Sequence, residues 1–225
     1  MTNLKNLVQL DFMTVKPYFT VKTLLIISMV ILFQTIMTGS VFSGIGVGAL
    51  LGTLFMSYPF VFMEKNNLDT LYATLSVKRK TVVAGRYLFA LLLNGATILF
   101  ALVLASIGLY FAGVVGFSYS IIGVNQIEPW ILLFALFAVI QAIQLPMYFK
   151  FGYAKAKFLS VVPFVALIAG YFASMSMSDG SAWLTGVLGK LSVTGLTAPA
   201  IAVVLVGIVP VSYGLSVVFY KKREF

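Results

Sequence analysis

Long runs without a single charge decide what this chain can become. Residues 23–63, 87–127, 129–149, 158–178 and 191–220 contain no Asp, Glu, Lys or Arg. About 20 apolar residues in a helix cross a hydrocarbon core roughly 30 Å thick. Every run is therefore long enough for one crossing, and the two 41-residue runs for two. Only 9% of the 225 residues are charged, whereas a soluble domain carries about a quarter. Too few charges remain to cover a water-facing surface, which excludes a soluble enzyme, a nucleic-acid-binding domain and a disordered regulator. The chain is an integral membrane protein.

Turn residues and charge placement divide the runs. Thr38-Gly39-Ser40 and Ser43-Gly44 interrupt the first, giving two spans of about 22–40 and 43–63. The second turns polar after Phe111, with Gly113, Gly116, Ser118, Ser120, Gly123, Asn125 and Gln126, and is read as one span of about 86–112 plus an uncharged loop. The remaining spans fall at about 129–149, 158–176 and 198–219. Cytoplasmic loops of membrane proteins are enriched in Lys and Arg. Six spans place Lys5, Lys16, Lys22, Lys65, Lys78, Arg79, Lys80, Arg86, Lys150, Lys155, Lys157, Lys221, Lys222 and Arg223 on one side, fourteen of fifteen cations, and only Lys190 on the other. Splitting the 87–127 run or merging the 23–63 run destroys that asymmetry. The expected fold is an all-α integral membrane protein, one domain over 1–225, with six transmembrane helices and both termini cytoplasmic. The formal charge of +9 is then mostly an orientation signal, and no nucleic-acid partner is expected.

The first 22 residues carry Lys5, Asp11, Lys16 and Lys22 and no apolar core of signal-peptide length, so a cleavable leader is not expected. Leu4, Leu7, Val8 and Phe12 recur at helical spacing instead, predicting an interfacial helix within 1–20 that breaks at Pro17.

The spans lack the groups that membrane chemistry needs. None has an ionisable residue in its interior, where coupled transporters and proton channels hold their ion. His and Cys are absent from the whole chain, which removes His-dependent intramembrane proteases and Cys/His metal sites. The spans offer no carboxylates for a phosphotransferase Mg²⁺, and no G-x-x-x-x-G-K-[ST] occurs. The chain has no catalytic residues, metal ligands or cofactor of its own, and energy for transport must come from a second protein.

Four amides do lie in spans: Gln34, Asn94, Gln141 and Gln144. They can line a substrate path or bond helix to helix. Gly44, Gly48 and Gly52 form a small-xxx-small stripe that permits close helix contact, within the chain or between two copies. Pro59, Pro146, Pro163 and Pro210 mark expected kinks, and Pro199 suits a first helical turn.

The loop between spans two and three, 64–80, holds about a third of the charges. Asn67 can cap a helix whose first turn contains Asp69. Leu68, Leu71, Tyr72 and Leu75 then form one apolar stripe, and Lys78, Arg79 and Lys80 follow at its end. The pattern predicts an amphipathic helix of about ten residues, roughly 15 Å long. It either rests on lipid headgroups or inserts into a partner's groove.

The phrase carried by Glu64, Lys65, Leu71, Leu75, Val77, Arg79, Lys80, Val82, Val83, Gly85, Arg86 and Tyr87 resembles one found in ABC transporter permeases of the type 2 exporter group. More narrowly, it resembles their short six-span bacterial branch. Ser76 stands where that branch usually has Pro, and Asn66-Asn67 where Gly is frequent. The resemblance implies a transport subunit without its own ATPase site, paired with P-loop ATPase subunits that bind ATP and Mg²⁺. It makes 64–80 the coupling helix, with Glu64, Lys65, Asp69, Leu71, Tyr72, Leu75, Val77, Lys78, Arg79 and Lys80 as its coupling residues. It makes the N-terminal helix an elbow helix on the inner leaflet of a bacterial cell membrane. It also implies short external helices between spans five and six, where Trp183, Leu184, Val187, Leu188 and Leu191 form an amphipathic segment. Two permease chains, identical or related, would form one pathway, exporting peptides, toxins or antimicrobials or protecting against them.

Two other classes fit a six-span chain of this composition. The membrane subunit of a vitamin uptake system should present small-residue faces rather than a loop helix with a basic end. A non-transport scaffold would simply lay the loop helix on lipid. A neighbouring gene for a P-loop ATPase separates the exporter from the scaffold.

Overall fold

The structure is a computed structural model that describes residues 4–38, 41–66, 68, 77–114, 128–176 and 204–222, and the described elements are all helical. Helix α1 is Leu4–Val15, followed by a 3-10 turn at Lys16–Tyr18; α2 is Val21–Thr38 and α3 is Val41–Phe55. Then come α4 (Tyr58–Lys65), α5 (Arg79–Val114), α6 (Glu128–Ser176) and α7 (Val209–Lys222). Four described stretches are long and apolar enough to cross a membrane: Val21–Thr38, Ser43–Lys65, Arg79–Phe111 and Leu133–Phe158. They overlap the first four expected spans. The expected fifth, 158–176, lies in the second half of α6, and the expected sixth overlaps α7, with 198–203 outside the described residues. The segment containing Trp183, Leu184, Val187, Leu188 and Leu191 lies outside them as well.

Three boundaries differ from the expectation, each for a local reason. The second span is two pieces, because the chain turns at Met56-Ser57 and Pro59 opens α4, where its missing N–H costs nothing. Helix α5 starts at Arg79 rather than near 86. Its 36 residues extend about 54 Å, well beyond a bilayer core, so the basic first turns project from it. Where a loop was expected around Lys150–Lys157, the helix continues and breaks only at Gly152 (φ 74°, ψ 172°), a conformation open to a residue without Cβ. Pro146 leaves α6 helical. Pro210 follows a π-helical turn at Val204–Ile208, the widened turn by which a helix accommodates a missing donor.

Two cores hold the bundle. One, at the α1 end, is aromatic and includes Phe60, Phe89, Tyr148, Phe149 and Tyr220. The other is built from small and branched residues, among them Ile31, Val41, Ile45, Ala49, Ala101 and Ala105. In the second, the glycine stripe of α3 faces small residues. A Cβ on Gly48 would lie 2.3 Å from Ala101 Cβ, one on Gly52 2.3 Å from Thr97 Oγ1, and one on Gly44 3.3 Å from Ala105 Cβ. Gly44, Gly48 and Gly52 thus meet Ala105, Ala101 and Thr97 in antiparallel order, so α3 and α5 approach backbone to backbone. Thr35 of α2 closes the third side, since the same Cβ on Gly44 would lie 2.1 Å from its Oγ1.

Candidate functional site

Both ends of the 64–80 loop are tied to distant helix termini by charge-assisted bonds. Glu64, at the end of α4, accepts the backbone N–H of Tyr153 (2.7 Å) and of Ala154 (3.1 Å) through one carboxylate oxygen. These are the first donors after the Gly152 break, which begin a helical segment and have no intrahelical acceptor. A carboxylate there satisfies them and meets the positive end of the helix dipole. At the other end of the loop, Arg79 Nη1 donates to the carbonyls of Tyr220 (3.0 Å) and Lys221 (2.7 Å). Those are orphan carbonyls of the last turn of α7, and the cation complements the negative end of that dipole. The Arg79 guanidinium also lies 5.9 Å from the Tyr220 ring centroid. Leu68 and Val77 pack against the aromatic core, whereas Lys65, Lys78 and Lys80 are exposed. Asp69, Leu71, Tyr72 and Leu75 lie outside the described residues.

Next to α4 sits a buried ion pair. Arg86 Nη1 is 2.7 Å from Asp11 Oδ1, and both side chains are almost wholly enclosed. The guanidinium also lies over the Phe60 ring, 5.0 Å from its centroid, and donates to Met63 Sδ at 3.6 Å. One side chain thereby joins α1, α4 and α5. Burial pushes the Asp11 carboxyl up to about 6, the charge of Arg86 opposing the rise. Helix α1 buries Leu7, Val8, Asp11, Thr14 and Val15. Phe12, on the expected apolar stripe, is 39% exposed, and its ring meets Phe89 edge-on at 4.9 Å. The sequence signal for the pair was available: Asp11 continues the Leu4, Leu7, Val8 stripe at helical spacing, and an acid on an apolar face needs a buried partner.

A hydroxyl chain links α5 to α7 and α6. The Tyr87 hydroxyl is 2.6 Å from Ser212 Oγ and 2.8 Å from Ser216 Oγ, and Ser212 donates to the Ala142 carbonyl. Since the Ser212 proton is thus committed, Tyr87 donates to Ser212 and accepts from Ser216. No periodicity in the sequence announces this contact, which joins residues 125 and 129 positions apart.

The intramembrane amides are mostly interior. Asn94 is fully buried and donates to the Phe134 carbonyl across to α6 at 3.3 Å. Gln141 and Gln144 are buried, and Gln34 is half-buried on α2. Among the described residues, the Gln141 amide has no hydrogen-bond partner. It lines a cavity of about 10 Å³ beside Tyr87 and Leu145, at the lower limit of the room a single water needs.

A sequence profile of ABC-2 family transporter proteins matches residues 6–221, nearly the whole chain. This chain belongs to that family. It is the membrane permease component of an ABC-2-type transporter, a multi-pass transmembrane domain that lacks an ATPase site. No curated protein and no solved structure matches it significantly. ABC-2 permeases generally pair with ATPase subunits, which gives weight to any cytoplasm-facing loop whose ends are mechanically fixed. In this permease the 64–80 segment is tied at both ends, through Glu64 and Arg79.

Proposed function

We propose that the permease belongs to the short six-span bacterial exporter branch and forms its pathway as a dimer driven by separate ATPase subunits, which bind ATP and Mg²⁺. Its cargo is a peptide, toxin or antimicrobial. Both termini face the cytoplasm, α1 is the elbow helix, and 64–80 carries the coupling helix that seats Leu71, Tyr72 and Leu75 in the ATPase. The observation that carries this reading is the double anchoring of the loop. A displacement of 68–76 would enter the bundle through Glu64 at the Gly152 break of α6, and through Arg79 at the end of α7. Charge-assisted bonds contribute about 1.5–3 kcal/mol each, enough to transmit a pull rather than slip.

The anchoring also divides the basic cluster. Arg79 is committed to α7, while the exposed Lys78 and Lys80 are available to a partner or to anionic headgroups. Replacing Leu71 and Leu75 by Asp should abolish co-purification with the ATPase and leave membrane insertion intact. Complex formation that survives both substitutions would sink the coupling-helix assignment. Arg79→Ala should behave differently, retaining the complex but losing cargo-stimulated ATP turnover.

A further inference from the structure

An apolar slot of about 250 Å³ opens between α1, α2, α3 and α5. Its walls are stretches of equal length: 24–31 of α2, 48–55 of α3 and 93–100 of α5. Each spans seven residue steps and so runs about 10 Å along its helix. Phe12 and Phe19 stand at the α1 end. The slot is therefore elongated along the helix axes, and larger than the roughly 150 Å³ engineered cavity that stays dry and takes up benzene.

Water has no reason to fill it. Among the described wall residues only Thr97 has a polar side chain, and its hydroxyl is engaged with the carbonyls of Leu93 and Asn94, each at 3.0 Å. A buried water needs two to four polar partners, and these walls supply none. Leu24 and Phe100 are partly exposed, so the slot communicates with the surface that a bilayer would cover.

The charge beside the slot indicates what kind of molecule enters. Lys16 and Lys22 are both exposed and lie within three residues of the wall residues Phe19 and Leu24. Asp11 is the only acid before Glu64, and it is buried against Arg86. The segments that lead into the slot walls thus carry two exposed cations and no exposed acid, and the slot interior is dry. We propose that the slot holds one acyl chain of an anionic phospholipid, whose headgroup is met by Lys16 and Lys22. The chain packs between α2, α3 and α5, on the flank of the glycine seam, and completes a core that the protein leaves open.

The test uses the full-length permease in phosphatidylcholine vesicles containing phosphatidylglycerol with a photoactivatable acyl terminus. Adducts are mapped by peptide mass spectrometry, and unlabelled phosphatidylglycerol should compete better than phosphatidylcholine. Adducts are expected within 48–55 and 93–100, and Ala96→Phe, which fills the slot, should lower them severalfold. Neutralising Lys16 and Lys22 to Gln should lower occupancy about fivefold for each lysine. Both lysines are exposed, so this pair still tests the proposal if the Ala96 variant fails to fold. Adducts confined to outward positions such as Leu25 and Met29, yields unchanged by the lysine substitutions, or crosslinks between two permease copies at the slot would overturn it.

Discussion

The α3–α5 seam and the α1 end of the bundle hold helices together in opposite ways. At the seam, Gly44, Gly48 and Gly52 let two backbones touch, and the space left for any added atom is about 2–3 Å. At the α1 end large rings and charges join the helices: Asp11 with Arg86, Glu64 with the N–H groups of Tyr153 and Ala154, Arg79 with the end of α7. A seam made by close approach is sensitive to volume and indifferent to charge. An end held by charges is sensitive to complementarity and tolerates changes of size. In a lipid environment there is little hydrophobic drive between helices, so a permease needs one device or the other. This chain places the chargeable one where it adjoins the 64–80 loop.

Substitutions can break that contrast, beginning with the ion pair. Arg86→Ala leaves Asp11 buried without its partner and should cost about 3–5 kcal/mol, read as a lowered unfolding midpoint in detergent. Replacing both members by apolar residues, Asp11→Leu with Arg86→Met, should recover most of that loss. If the double variant is as unstable as the single one, charge complementarity is not what holds α1. Next comes the seam: Gly48→Ala, a single methyl group, should cost about 1–3 kcal/mol, and Ala101→Gly in the same chain should restore stability. A Gly48→Ala protein that melts like the parent would mean that the helices do not approach so closely.

Smaller effects sharpen the picture at the α1 end. Tyr87→Phe removes the hydroxyl between Ser212 and Ser216 and should cost about 1 kcal/mol, with faster amide exchange in α7. Smallest of all, Glu64→Gln keeps an acceptor for Tyr153 and Ala154 but loses the charge. It should cost about 0.5 kcal/mol in stability, and its main readout is weaker coupling of ATP turnover to cargo.

Much of this architecture is legible in the residues. The charge-free runs mark the helices Val21–Thr38, Ser43–Lys65, Arg79–Phe111 and Leu133–Phe158, because hydrophobic length is a local property. The phrase from Glu64 to Tyr87 points to the family to which the profile assigns residues 6–221. The glycine stripe is visible as a pattern, but its partner is not, since small residues at a fixed spacing suit any close helix. Asp11 stands out as an acid on an apolar stripe, but nothing along the chain names Arg86, 75 positions on, as its partner. Their pairing depends on α1 folding back onto α5. The helix expected within 64–80 falls largely outside the described residues.

The sequence by itself determined that this protein lives in a bilayer, roughly where four of its long apolar helices lie, and that it carries no ATPase site. Each of those follows from residue types and their spacing along the chain. Tertiary structure alone decided which helix faces meet: the glycines on Ala101 and Thr97, Arg86 on Asp11, Arg79 on the end of α7, and the dry slot beside Lys16 and Lys22. The physical reason is that burial in lipid rewards any apolar face equally. Only close packing and the need to satisfy each buried charge choose among the possible partners.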